Sequence, residues 1–112
     1  METKAIEYLE NKGYHIVERN FNCRHGEIDI IALKDNILSI VEVKYRKNSL
    51  RGLPEEAVTP SKIVKICKSA QYYLYSHRQY EKYQLRFDVL SILDEEIHFY
   101  ENAFDFSLNG YY

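Results

Sequence analysis

Two runs rich in isoleucine and valine, separated by one turn-forming pair, constrain the fold of this chain most strongly. The runs are Gly26–Lys34 and Ile37–Arg46, and Asp35 and Asn36 stand between them. β-Branched residues favour extended strands, and a short pair of Asp and Asn favours a tight reversal of the chain. The sequence therefore predicts a β-hairpin over residues 26–46.

Four charged side chains interrupt the apolar pattern of this hairpin. A loop of two or four residues sets Asp29 opposite Glu42, whereas a loop of odd length would shift the register. The same register sets Glu27 opposite Lys44. Because side chains alternate between the faces of a sheet, we expect all four on one face, at the end of the hairpin away from the turn.

Two carboxylates that face each other between apolar strands are costly for stability. Like charges on neighbouring strands repel, and neighbours such as Ile30 and Val41 remove the water that would solvate them. A divalent cation suits this arrangement, since Mg²⁺ is commonly held by one or two carboxylates together with waters and phosphate oxygens. The pattern therefore indicates a metal site at Asp29 and Glu42.

The composition is that of one globular domain. The chain has 112 residues, of which 46% are hydrophobic and 29% charged, so we expect a single domain over residues 1–112. No apolar run is long enough for a membrane span or a signal peptide, and we expect a cytoplasmic protein. Cys23 and Cys67 lack the spacing of a zinc site and are interpreted as reduced thiols.

Basic residues border the charged end of the hairpin. The net charge of −2 gives no overall attraction to nucleic acid, so the distribution of charge matters more than the total. One basic group lies at and after the end of the hairpin, and a second forms a helical stripe. The members of the two groups are Lys44, Arg46, Lys47 and Arg51, and then Lys62, Lys65 and Lys68. Both favour contact with a phosphate backbone, although a solvated helix face is the alternative for the stripe.

Periodicity and capping residues predict two helices and three further strands. The helices cover residues 2–12, ending at Gly13, and residues 59–77, with Thr59 as the N-cap and Pro60 in the first turn. The strands cover residues 14–19, 85–93 and 97–100. Residues 47–54 are predicted to form a loop. The order α-β-β-β-α-β-β predicts an α/β fold, a mixed sheet with flanking helices.

Two of these strands carry further signals. The strand over residues 14–19 has a polar side, which suggests the edge of a sheet. In the strand over residues 85–93, Arg86 and Asp88 alternate onto one face. We interpret them as a structural pair rather than as catalytic residues.

Short segments along nearly the whole chain resemble the YraN family, predicted endonucleases distantly related to archaeal Holliday junction resolvases. The segments are GEID at 26–29, VEVKYR at 41–46, GLPEEAV at 52–58, Lys62, RFDV at 86–89 and NAF at 102–104. The family belongs to the PD-(D/E)xK nuclease superfamily. The resemblance implies a restriction-endonuclease-like fold and a metal-dependent cut in the DNA backbone, in branched or in recombination and repair intermediates.

The resemblance assigns roles within the hairpin. Asp29 matches the metal-binding aspartate of the family, and Glu42 and Lys44 match the glutamate and lysine of its ExK pair. We expect Asp29, Glu42 and the carbonyl of Val43 to hold Mg²⁺ or Mn²⁺. Lys44 is expected to orient the attacking water and to offset charge on the phosphate.

The resemblance also implies supporting residues outside the hairpin. Gln71 and Tyr75 resemble the QxxxY motif of related RecB-type nucleases, so Gln71 is expected among the catalytic residues and Tyr75 in a supporting part. Glu2 matches an acid in the first helix of the family. Glu27 is expected to support the site through an ion pair with Lys44.

Two other functions are compatible with these residues. A junction-binding module with weak or no cleavage would bind branched DNA in a metal-dependent way, although the intact Asp29, Glu42 and Lys44 speak against it. A hydrolase of another phosphate ester would turn over small phosphodiesters, and the absence of a His-rich metal set disfavours it. DNA is the expected partner, and a homodimer is expected where two symmetric cuts are needed.

Overall fold

The protein folds as a five-stranded sheet with one main helix against each face. The structure is a computed structural model that describes residues 2–46 and 58–108. The elements follow one another in the order α-β-β-β-α-β-β, as predicted. They are α1 (Glu2–Asn11), β1 (His15–Cys23), β2 (Gly26–Lys34), β3 (Ile37–Arg46), α2 (Pro60–Ser76), β4 (Gln84–Leu93) and β5 (Glu96–Phe104).

The sheet is mixed, as predicted for an α/β nuclease-like fold. The strands lie in the order β1-β2-β3-β4-β5, so β1 and β5 form the edges. Three neighbouring pairs are antiparallel, and the central pair of β3 and β4 is parallel. A parallel pair requires a crossover connection, and α2 supplies it.

The predicted hairpin is present, with a two-residue turn at Asp35 and Asn36. Asp35 has φ 54°, a left-handed conformation that Asp tolerates better than most residues. The β2–β3 pairing runs from Lys34 opposite Ile37 to Ile30 opposite Val41. This is the register that an even loop predicts.

The helix ends follow the predicted signals. Gly13, at φ 96°, closes α1, where the N–H of Tyr14 donates to the carbonyl of Leu9 at 3.0 Å. Thr59 caps α2, since its Oγ1 accepts a hydrogen bond from the N–H of Lys62 at 3.2 Å. Lys62 therefore lies in the first turn of α2, and the cap fixes the direction in which this turn starts.

Two edge strands are longer than the predicted ones. β1 extends to Cys23 instead of Arg19, because its pairing with β2 continues to Gly26. β5 extends to Phe104 instead of Tyr100. Phe104 is buried, and its ring stacks on that of Phe87 at 5.1 Å. In both cases pairing with the adjacent strand sustains the strand where the local sequence is partly polar.

The two faces of the sheet carry separate apolar cores. The core on the α2 side contains the buried apolar face of α2, and the core on the α1 side is smaller. The α2-side members include Ile28, Ile31, Leu38, Ile40, Ile63, Ile66, Cys67, Ala70, Tyr73, Phe87 and Val89, with Leu74 partly buried against them. The α1-side members are Ala5, Leu9, Tyr14, Ile30, Ala32, Val41, Leu90 and Ile92.

A buried polar cluster joins β4 to its neighbours on the α1 side. Asp88 is fully buried and accepts hydrogen bonds from Arg86, from the hydroxyl of Ser39 and from the N–H of Asn102. Arg86 also donates to the hydroxyl of Tyr14. The charge and the hydrogen-bonding capacity of Asp88 are thus satisfied within the protein, as a structural role requires.

Several predicted features lie outside the described residues. They are the loop over 47–54 with Lys47 and Arg51, and the side chains of Glu2 and Arg46. None of the helices in residues 2–46 and 58–108 is both long and apolar enough to cross a membrane.

Candidate functional site

The regular alternation of β2 breaks at Asp29. Ile28 and Ile31 both pack in the core on the α2 side, whereas Ile30 packs on the α1 side. Residues three apart on a regular strand point to opposite faces, so the strand must twist between them. The simple alternation from which we expected four charges on one face therefore does not hold through this segment.

The break directs the carboxylate of Asp29 toward the neighbouring strand. The N–H of Val43 donates to Asp29 Oδ2 at 2.8 Å. This hydrogen bond lies just beyond the last β2–β3 pair, Ile30 opposite Val41. If the β2–β3 ladder continued, a backbone carbonyl of β2 would accept this hydrogen bond. The side-chain oxygen of Asp29 accepts it instead. Asp29 is held beside Glu42 by the backbone of β3.

Glu42 lies buried on the α2 face, with two lysines at one of its oxygens. Its side chain is only 7% exposed. Glu42 Oε2 is 3.2 Å from Lys44 Nζ on the same strand and 3.1 Å from Lys62 Nζ in the first turn of α2. The sequence predicted Lys62 as a contact for nucleic acid. The structure shows that it also neutralises part of the acidic site.

The two carboxylates influence each other electrostatically. The pKa of Asp29 is raised from 3.8 to about 6. Burial is the main cause, and the negative charge of Glu42 acts in the same direction, whereas the hydrogen bond from Val43 opposes both. Glu27 adds a smaller repulsion and Lys62 a smaller attraction. The surroundings of Asp29 and Glu42 therefore stabilise the negative charges of the two carboxylates only in part.

This repulsion predicts a pH-dependent cost to stability in the absence of metal. The folded protein holds the Asp29 proton more tightly than the unfolded chain, so stability falls as the pH rises from 3.8 to about 6. The side chain is partly exposed, which limits the effect to about 1 kcal/mol. We expect Asp29→Asn, whose amide oxygen can still accept from Val43, to raise the free energy of unfolding at neutral pH by that amount.

Urea unfolding in chelator across this pH range measures the effect. The wild type should lose stability over the window, and Asp29→Asn should show a flatter dependence. Asp105→Asn, an exposed aspartate outside the site, serves as the matched control. A lower stability of Asp29→Asn at neutral pH would contradict the proposed repulsion.

Glu27 and Glu2 were expected to support the carboxylate pair. Glu27 is exposed, and the structure pairs Lys44 with Glu42 rather than with Glu27. Glu2 begins α1, whose buried residues pack on the face of the sheet opposite to α2. Lys44 therefore forms its ion pair with Glu42 on the same strand, in place of the expected ion pair with Glu27.

Gln71 and Tyr75 lie farther along α2, in a separate groove. Nine residues separate Gln71 from Lys62, which corresponds to about 13 Å along a helix axis. The groove has a volume of about 420 Å³ and is lined by Arg24, His25, Lys68, Gln71, Tyr72 and Tyr75. The expected catalytic contact of Gln71 stays a prediction. Arg24 and Tyr72 were missed, because no local pattern connects them.

The donor chemistry of the carboxylate pair fits a hard divalent cation. Within residues 2–46 and 58–108, no three His, Cys, Asp or Glu side chains converge as a complete metal-binding set. Mg²⁺ needs only one or two carboxylates, because waters and substrate oxygens complete its coordination. Asp29 and Glu42 could supply these two carboxylates. The carbonyl of Val43 stays a predicted third ligand.

Comparison with known proteins gives one consistent result. The family described as "Uncharacterised protein family UPF0102" matches residues 1–92. A UPF0102 protein of Lachnoclostridium phytofermentans is 50% identical over 93% of this chain and 88% of its own length. One of Persephonella marina is 48% identical over 93% and 89% of the two chains. One of Clostridium perfringens is 45% identical over 96% and 84%.

Proposed function

This chain belongs to the uncharacterised protein family UPF0102, and we propose that it is a metal-dependent endonuclease that hydrolyses phosphodiester bonds in DNA. The resemblance to the YraN family is thereby confirmed, since UPF0102 and YraN denote the same family. The observation that carries the proposal is the pair of Asp29 and Glu42, held side by side with two lysines at one oxygen of Glu42.

The carboxylate pair supports binding of a divalent cation. Asp29 is fixed by the N–H of Val43, and Glu42 is fixed by its burial on β3, so neither has to be ordered when a cation arrives. Mg²⁺ or Mn²⁺ bound there would polarise the scissile phosphate and acidify a water. The cation would also offset the negative charge that otherwise repels a phosphate backbone.

Lys44 supports the chemical step through its charge. Its ammonium lies 3.2 Å from Glu42 Oε2, so its positive charge is held beside the carboxylate pair. A fixed cation beside the reacting phosphate stabilises the charge that develops on its oxygens. Lys44 would therefore position the attacking water and stabilise the transition state, without serving as a free general base.

Lys62 supports recognition of the substrate. It reaches Glu42 from α2, and its side chain is 42% exposed, so its ammonium faces both the carboxylate and the solvent. Together with Lys65, it presents positive charge beside the acidic pair. A phosphate backbone approaching Asp29 and Glu42 would meet these lysines first.

A cleavage panel tests the proposal. Labelled linear duplex, single-stranded and four-way-junction DNA are incubated with the protein in Mg²⁺, in Mn²⁺ and in chelator. We expect cleavage of at least one substrate with either metal and none in chelator, with branched DNA cut fastest. Lys44→Ala should abolish cleavage, and Lys82→Ala, which removes an exposed lysine far along the chain, should not.

The panel also separates the alternatives. Metal-dependent binding of junctions without cleavage would identify a binding module and overturn the proposed hydrolysis. Turnover of a small phosphodiester without any cut in DNA would identify a different phosphoesterase.

A further inference from the structure

A second feature of the surface is the groove on α2 that Gln71 and Tyr75 line. It lies between α2 and the turn that joins β1 to β2, and its volume is about 420 Å³. The turn is tied to the helix, since Cys23 Sγ donates to Ser69 Oγ at 3.6 Å. A Cβ on Gly26 would lie 3.6 Å from atoms of Lys65 and of Ser69. The two walls of the groove are thus in close contact.

Two tyrosine rings are displayed at this groove. Tyr72 is 44% exposed and Tyr75 is 73% exposed, although large aromatic side chains are normally buried. The rings of Phe21 and His25 are both neighbours of the Tyr72 ring, each with its centroid 6.3 Å away. Tyr72 is therefore supported by two neighbouring rings while part of its own ring stays open. A rigid, partly open ring is a platform for stacking.

The groove is basic although the whole chain is acidic. Its lining side chains include the cations Arg24 and Lys68, and none of those described is a carboxylate. The chain carries a net charge of −2, so this local excess of positive charge opposes the overall balance. The charge of the groove complements a phosphate backbone.

A line of lysines connects the groove with the carboxylate pair. Lys62 contacts Glu42, Lys68 lines the groove, and Lys65 lies between them at helical spacing. Tyr72 is ten residues beyond Lys62, or about 15 Å along the helix axis. This span corresponds to about four nucleotides at the rise of one DNA strand.

We propose that the groove binds an unpaired stretch of nucleic acid, with a base stacked on Tyr72 and phosphates on Arg24 and Lys68. Stacking on an aromatic ring beside cations is how proteins hold single strands without reading sequence, because every base has a flat face. Binding of a single strand in the groove does not depend on the proposed nuclease function. Only the following consequence rests on that function. The bound single strand would lead along the lysines to Asp29 and Glu42, so the preferred substrate would carry an unpaired segment within about four nucleotides of the cut.

Binding measured without cleavage tests this proposal. The full-length protein is titrated in chelator against fluorescent oligo-dT, oligo-U and duplex DNA, each about 15 nucleotides long, enough for one site. We expect both single strands to bind more tightly than the duplex. Tyr72→Ala should weaken single-strand binding by about 10-fold, the size expected for loss of one stacked base. Tyr72→Phe, which keeps the ring, should retain wild-type affinity.

A salt titration tests the cationic part of the groove. Lys68→Gln should reduce the slope of log affinity against log salt by about 0.7, the value for one lost phosphate contact on a single strand. Equal single-strand affinity of the wild type and Tyr72→Ala, with thermal unfolding unchanged, would overturn the inference. Tighter binding of the duplex than of both single strands would also overturn it. Because cleavage is not measured, failure of this binding proposal can be told apart from failure of the proposed nuclease function. The comparison of oligo-dT with oligo-U distinguishes DNA from RNA.

Discussion

Asp29→Ala is expected to lower the rate of DNA cleavage by on the order of 1,000-fold, because a bound metal contributes several kcal/mol to such a reaction. Asp29 would have two tasks that alanine cannot perform. Its carboxylate would supply one of the two ligands for the cation, and it also accepts the hydrogen bond from Val43. Rates with saturating Mg²⁺ on the best substrate of the cleavage panel measure the effect.

One further variant separates the tasks of Asp29. Asp29→Asn can keep the hydrogen bond with Val43 but loses the negative charge, so it should be nearly as inactive as Asp29→Ala while folding at least as stably as the wild type. Asp105→Ala removes an exposed aspartate and should cleave at the wild-type rate. Normal cleavage by Asp29→Asn would show that the charge of Asp29 does not bind the metal.

Asp88→Ala is expected to produce the largest loss of stability, about 3–5 kcal/mol, since it removes the main ion-pair partner of a buried arginine. Arg86 donates to both carboxylate oxygens of Asp88, and its side chain is only 13% exposed. The N–H of Asn102 would also lose its acceptor. Urea unfolding compared with the exposed-site variant Asp105→Ala measures the difference.

A loss of this size is a large share of the stability of a small domain, so Asp88→Ala could be recovered unfolded. Ser39→Ala then provides a milder test of the same cluster. Ser39 is fully buried and donates to Asp88, and removing one hydrogen bond to a charged group should cost about 1.5–3 kcal/mol. Wild-type stability of Ser39→Ala would contradict a structural role for the cluster.

The parts of the structure that could be predicted depend on short-range patterns. The turn at Asp35 and Asn36 sets the register of its hairpin within a few residues, and that register brings Asp29 close to Glu42. The cap at Thr59 acts within one helical turn. Helix and strand order follow from the same local periodicities, which is why the fold class agreed with the sequence.

The remaining features depend on contacts between distant parts of the chain. The twist at Asp29 puts Ile28 and Ile31 on the same face, which strict alternation forbids. Lys62 reaches Glu42 only because α2 crosses over the sheet. Similarly, the turn before β2 meets Tyr72 through the packing of α2 on the sheet. No pattern within either segment indicates such a partner, because tertiary packing decides it.

The two lysines at Glu42 are counter-ions that the protein itself supplies to the acidic site. Both ammonium groups lie within 3.2 Å of the same carboxylate oxygen, so a cation that arrives there competes with two tethered amines. An ammonium group that the cation displaces from Glu42 stays beside the site. There it can pair with an anionic strand instead of with the carboxylate. Occupancy by a cation and attraction of a polyanion would in this way be linked through the same two side chains.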